Sequence, residues 1–147
     1  MFKSIIWATD GSEHADRALS YVTDLARAGE NASVTIVHVV ETGRGAGAAF
    51  LPRRQEEEEI VKQLKATEGE LREKGLDVSL KVTDEVGVRP SHEILEVARA
   101  KGADLIVLAS RGASAIGGLL LGSTAHRLLH VAPCPVLVVP PERRAAR

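Results

Sequence analysis

The chain alternates between two hydrophobic rhythms. Short, nearly continuous apolar runs rich in β-branched residues are followed by stretches whose apolar residues return every three or four positions. Lys3–Thr9 predicts a buried strand ending at Asp10-Gly11. Ser12 then stands where a helix N-cap belongs, and Ala15, Ala18, Leu19, Val22, Leu25 and Ala26 recur at helical spacing until Gly29 stops them. Ser33–Val40 predicts a second buried strand. Glu41–Pro52 contains Gly43, Gly45 and Gly47, has no periodicity, and predicts a mobile loop. The next helix carries Ile60, Val61, Leu64 and Leu71 and ends at Gly75. Its pairs Glu58/Lys62, Glu68/Arg72 and Glu70/Lys74 have the i,i+4 spacing of surface ion pairs.

Val78, Leu80 and Val82 alternate with polar residues, so the third strand has one wet face and belongs near a sheet edge. Ser91 is a candidate cap for a helix bearing Ile94, Val97 and Ala98, which Gly102 closes. Asp104–Ala109 is the fourth strand, a helix from Gly122 carries Ala125, Leu128 and Leu129, and Pro135–Val139 is the fifth strand. Residues 141–147, with Arg143, Arg144 and Arg147, read as a frayed tail. Strands that alternate with helices imply crossover connections. The expected fold is therefore an α/β, doubly wound parallel sheet of five strands with helices on both faces. In such sheets a crevice opens beyond the carboxyl ends of the strands, where their order reverses.

Composition narrows the possibilities. A chain of 147 residues, 44% hydrophobic and 27% charged, is expected to be one soluble globular domain over 1–147. A net charge of −1 and only Phe2, Trp7, Tyr21 and Phe50 as aromatics argue against a nucleic-acid surface. No apolar run approaches the ~20 residues of a membrane helix, and no signal-peptide pattern opens the chain. Cys134 is the single cysteine, which fits a reducing compartment. It lies between Pro133 and Pro135 and reads as a structural thiol.

The chemistry-bearing stretch follows the fourth strand. Ala109-Ser-Arg-Gly112 leads, nine residues later, to Gly122-Ser123-Thr124 at the start of a helix. Glycine-bearing loops expose backbone N–H groups, and a helix N-terminus with hydroxyls favours anions, so this layout suits phosphate. Ser123 also reads as a helix cap. Asp10 either holds its turn by an Asx hydrogen bond or meets a ligand. His38, inside an apolar strand, reads as a hydrogen-bonded core residue. Glu56–Glu59 read as the solvated start of a helix, where the macrodipole favours acids, and not as a metal site. His126 and His130 lack the third ligand a zinc site needs. Gly117-x4-Gly122-Ser123-Thr124 lacks the lysine of a P-loop.

Taken together and in order, these pieces resemble the universal stress proteins over essentially the whole chain. Nucleotide-binding members of that family carry Gly-x2-Gly-x9-Gly-Ser/Thr. Here the frame is Ala109-x2-Gly112-x9-Gly122-Ser123, with alanine for the first glycine. The opening Ala8-Thr9-Asp10-Gly11-Ser12, His38-Val39 and Ala132-Pro-Cys-Pro-Val-Leu-Val-Val are similar as well. The resemblance implies strand order 3-2-1-4-5, a cytoplasmic stress-response protein, and ATP as ligand. It places adenine by Asp10 and Val39, next to Ala8 and Thr9, and the ribose and phosphates on Ala109, Arg111, Gly112, Gly122, Ser123 and Thr124. Mg²⁺ would accompany the nucleotide with help from Asp10 or Ser123. It also implies a homodimer through the last strand. The apolar Val136–Val139 at a sheet edge invites the same pairing.

With no base set against a nucleophile, no Walker lysine and no arginine finger, a binding module or sensor is expected rather than a fast enzyme. Two alternatives remain at this stage. One is an interaction protein of the same fold that holds no nucleotide, which Ala109 would favour if that position required positive φ. The other is a slow ATPase or self-phosphorylating protein with Ser123 or Thr124 as acceptor.

Overall fold

The computed structural model describes residues 1–40, 50–85, 87–110 and 121–141, with side chains in the second helix from residue 55 onward. The elements run β1 (Ser4–Ala8), α1 (Glu13–Ala28), β2 (Ser33–Val39), α2 (Phe50–Glu73), β3 (Asp77–Thr83), α3 (Pro90–Ala100), β4 (Leu105–Ala109), α4 (Ser123–Val131) and β5 (Val136–Val139). The five strands form one sheet in the order β3-β2-β1-β4-β5. Every pairing is parallel; Trp7 lies opposite Ile36 on one side and Val107 on the other. The expected class, strand number and order are all present.

The period of two in the strands distributes the core. Ile5 and Trp7 face α1 and α2, packing with Ala18, Val22, Ala26, Leu64 and Leu71. Ile6 and Ala8 face the other side, against Ile94, Val97 and Ala98 of α3 and Ala125 and Leu128 of α4. Helices therefore cover both faces, as parallel sheets require. Two ties across the chain set the strand starts. The Asp104 carboxylate accepts the N–H groups of Lys3 and Ser4 at 2.8 and 3.0 Å, and the Asp104 N–H donates to the Ser4 carbonyl at 2.9 Å.

The two sheet edges are treated differently. Along β3, the Leu80 N–H donates to the Glu68 carboxylate at 3.2 Å and the Arg72 Nε donates to the Val78 carbonyl at 2.7 Å. Glu68 and Arg72 themselves form the predicted i,i+4 pair at 2.7 Å. Along Val136–Val139 no side chain among the described residues makes a comparable bond; just past the strand, the Arg17 guanidinium donates to the Pro140 carbonyl at 3.3 Å.

Four local expectations need correction. Phe50–Pro52 belongs to α2 rather than to the preceding loop. Proline is tolerated in a first helical turn because that N–H has no intrahelical acceptor. Ser91 does not cap α3: Arg89 is the N-cap, Pro90 takes the first helical position its fixed φ suits, and Ser91 is buried inside the first turn. Ser123 does not cap α4 either; Gly122 is the N-cap and supplies no side chain. Leu129, expected on the apolar face of that helix, is 52% exposed. The remaining punctuation stands: Ser12 caps α1 through its hydroxyl, and Gly75, at φ +86°, lets the Leu76 N–H return to the Leu71 carbonyl. The proposed loop at 43–49, Gly117 and the tail beyond residue 141 lie outside the described residues.

Candidate functional site

The strand order reverses between β1 and β4, because α1 carries the chain from β1 toward β2 while α4 carries it from β4 toward β5. Their carboxyl ends border a hollow of about 350 Å³. Ala8, Thr9, Asp10, Val39, Ala109, Gly122, Ser123 and Thr124 all line it. The other two predicted site residues, Arg111 and Gly112, lie outside the described residues. The fold thus gathers every predicted position it describes into one cavity, from segments more than a hundred residues apart.

The first wall is built from the end of β1, the end of β2 and α2. Thr9 donates its N–H to the Val37 carbonyl at 3.0 Å and accepts the Gly11 N–H on Oγ1 at 3.1 Å. Asp10 Oδ1 accepts the Ser12 N–H at 2.9 Å, the Asx bond its position predicts. Gly11 sits at φ +78°, and a Cβ there would lie 2.5 Å from Ile60 Cγ2, so α2 approaches the turn as closely as a glycine allows. Burial, and then the charges of Asp10 and Glu13, push the Asp16 carboxyl above its ordinary value.

His38 is buried in this wall, as expected for a hydrogen-bonded core residue, but its second partner was not expected. Nδ1 lies 2.9 Å from the Thr9 carbonyl and Nε2 lies 2.7 Å from Glu57 Oε2. A carbonyl only accepts, so Nδ1 carries a hydrogen. A hydrogen bond between Nε2 and the carboxyl group then places one further proton between those two atoms. Glu57 is therefore no solvated helix-start acid: it clasps α2 to β2 and, with Glu56, lines the hollow. Its place in the inward-facing stripe, three residues before Ile60 and seven before Leu64, is the signal that could have found it.

The second wall is the end of β4 and the start of α4. Ala109 does not have positive φ; among the described residues Asn31 is the one non-glycine that does. The methyl that replaces the first motif glycine therefore carries no backbone strain. Ser110 donates its N–H to the Val139 carbonyl at 2.9 Å, and its own carbonyl takes the Gly122 N–H at 2.6 Å. The Gly122 amide is consequently unavailable to a ligand, contrary to the simplest reading of the motif. The next three amides differ. Ser123, Thr124 and Ala125 open α4, where N–H groups have no intrahelical acceptor, and no acceptor among the described residues takes them. The Ser110 hydroxyl is also buried at the hollow without a partner, a position the sequence reading did not single out.

Other candidates separate from this cavity. His126 and His130 stack with ring centroids 4.8 Å apart on α4, and no group of three potential metal-ligating side chains occurs among the described residues. Cys134 is a free thiol, pushed above its ordinary value by burial and then by Asp104. No helix among the described residues is long and apolar enough to cross a membrane.

Sheet order and site position define an α/β domain of the doubly wound class. The universal stress protein family model matches residues 1–140. A universal stress protein of Thermus aquaticus is 38% identical over 145 residues, covering 95% of this chain and 99% of its own length. The universal stress protein YxiE of Bacillus subtilis is 33% identical over 151 residues, with coverages of 95% and 99%. This chain belongs to the universal stress protein family. Solved structures of the same fold include a universal stress protein in complex with cAMP, at TM-score 0.67 and 24% identity, covering 95% of this chain and 97% of that one. Another is the Archaeoglobus fulgidus universal stress protein in complex with dAMP, at TM-score 0.64 and 21% identity, with coverages of 95% and 98%.

Proposed function

We propose that this protein is an ATP-binding stress-response module that acts as a cytoplasmic homodimer, and that the hollow between β1 and β4 is its nucleotide site. The observation that carries this reading is the run of amides at Ser123, Thr124 and Ala125, taken by no acceptor among the described residues and bordering a cavity of about 350 Å³. Helix N-termini of this kind favour phosphate through both hydrogen bonding and the macrodipole. Ala8, Thr9, Asp10 and Val39 would receive the base and Ala109 with α4 the sugar and phosphates, joined by Arg111 and Gly112 as the motif implies. The cAMP and dAMP complexes within the fold support an adenine nucleotide as the ligand class. The negative φ at Ala109 removes the main argument for a nucleotide-free interaction protein. Asp10 and Ser123 are the side chains that would meet Mg²⁺ on the phosphates.

Calorimetric titration with ATP, with and without Mg²⁺, tests the site. Saturable binding at one nucleotide per chain is expected, weakened by Gly122→Val in a protein that stays folded. Unchanged affinity in that variant would sink the assignment.

The dimer reading rests on the contrast between sheet edges. The β3 edge is occupied by Glu68 and Arg72, whereas β5 keeps its outer side bare of side-chain bonds among the described residues. Ile106 N–H bonds to the Pro135 carbonyl and Ser110 N–H to the Val139 carbonyl, so the backbone groups of Val136 and Val138 face outward. Val138→Pro removes an outward N–H and leaves the bonds to β4 intact. Light scattering is expected to show a dimer for the parent and a folded monomer for this variant.

A further inference from the structure

A second concavity lies between α3 and α4, and nothing in the nucleotide reading uses it. It is an open trough of about 470 Å³ whose lining includes Arg89, His92, Leu95, Arg99, Arg127 and Val131. No carboxylate lines it among the described residues. Arg99 is paired with Glu96 at 2.8 Å, an exposed i,i+3 contact of little strength. Arg89, His92 and Arg127 form no ion pair with any described residue. Two guanidinium groups without an ion pair among the described residues therefore line one trough, on a chain whose net charge is −1. The aliphatic part of the lining is Val88, partly buried, and Val131, 46% exposed, with Leu95 buried beneath them.

We propose that this trough docks an acidic peptide segment of a partner protein, one in which carboxylates alternate with aliphatic side chains. Charge complementarity selects the acidic residues: arginine forks pair with carboxylates in a bidentate manner and are enriched where proteins recognise one another. The floor of Val88 and Val131 selects the aliphatic ones, because burying apolar surface supplies what exposed ion pairs alone do not. A free phosphate compound would use the cations and gain nothing from the floor. The trough and the hollow share two helices but not one face. Pro90 and Ile94 of α3 border the hollow, one helical turn apart, while His92, Leu95 and Arg99 line the trough at i,i+3,i+7 spacing. A partner seated here leaves the hollow's lining residues untouched.

The test is selection of phage-displayed short random peptides on the intact protein, with the R89E/R127E variant as counter-selection, followed by fluorescence anisotropy on a synthetic copy of the peptide recovered. Recovered peptides are expected to interleave Asp or Glu with Leu, Ile or Val. Their affinity is expected to fall at least about tenfold on R89E/R127E, and again when their acids are replaced by amides or their aliphatic residues by serine. Circular dichroism checks that the variant is folded, and R89Q/R127Q takes its place if the charge reversal unfolds the chain. Recovery of peptides without acidic enrichment, or equal binding to parent and variant, overturns the proposal. So does tripolyphosphate or an oligonucleotide that displaces the peptide while the serine-substituted peptide binds as well as the original, since the trough would then be a general polyanion surface.

Discussion

The two walls of the hollow are built on opposite principles. On the β1–β2–α2 side, polar groups are spent within the protein: Thr9 holds Gly11, Asp10 holds Ser12, and His38 is bound at both nitrogens by the Thr9 carbonyl and Glu57. On the β4–α4 side, Gly122 is spent on Ser110, but the three amides that follow and the buried Ser110 hydroxyl have no partner among the described residues. A wall whose hydrogen bonds close on themselves is rigid and shapes the cavity. A wall with unmet donors in a hollow is where a ligand's acceptors gain most, because those groups have already lost part of their water. Substitutions in the first wall are expected to cost stability first, and those in the second to cost binding first.

The largest effect expected is at Gly11. Valine there meets both a positive φ and the packed Ile60, and unfolding free energy is expected to drop by about 3 kcal/mol or more. Urea denaturation followed by Trp7, the single and fully buried tryptophan, reads it directly. An unaffected midpoint would mean that α2 does not press on the turn. Next is Gly122→Val on the other wall. At φ −67° a side chain is conformationally acceptable, so stability is expected to change by about 1 kcal/mol while ATP affinity falls at least about tenfold. A reversal of those two magnitudes would erase the distinction between the walls.

Glu57→Gln keeps the shape of the clasp and replaces the carboxyl group by an amide. A loss of about 1 kcal/mol is expected, together with a change in the His38 imidazole nitrogen shifts in NMR, because the proton shared with the carboxyl group has lost its partner. ATP affinity that shifted more than stability would place Glu57 among the ligand contacts instead. The smallest effect belongs to Ala109→Gly. With no positive φ to relieve, restoring the motif glycine is expected to cost under about 1 kcal/mol in backbone entropy and to leave ATP affinity within about twofold. A tenfold gain in affinity would show that the methyl obstructs the site after all.

Much of this was legible in the residues. The strands at Ser33–Val39 and Leu105–Ala109 are apolar enough to be recognised as buried on both faces, and Gly75 and Gly102 end their helices where the spacing says they should. The eight described site residues fall in one cavity because a parallel sheet brings all its carboxyl ends to one side. Less legible were Ser91 and Ser123. Both are good caps by type, yet Ser91 stands two positions past its N-cap Arg89 and Ser123 one position past its N-cap Gly122. Capping depends on where the backbone turns, and residue preference marks that point only to within a position or two.

Periodicity alone determined the order of elements, the doubly wound arrangement and the side of the sheet on which a crevice opens, because each follows from local burial patterns and from the handedness of crossovers. Tertiary structure decided which amides the protein keeps for itself. It decided that Glu57 turns inward to His38, that α2 begins at Phe50, and that side chains bond to one sheet edge but, among the described residues, not to Val136–Val139 on the other. Those outcomes depend on partners distant in sequence, and a hydrophobic pattern records that a position is buried without recording what it is buried against.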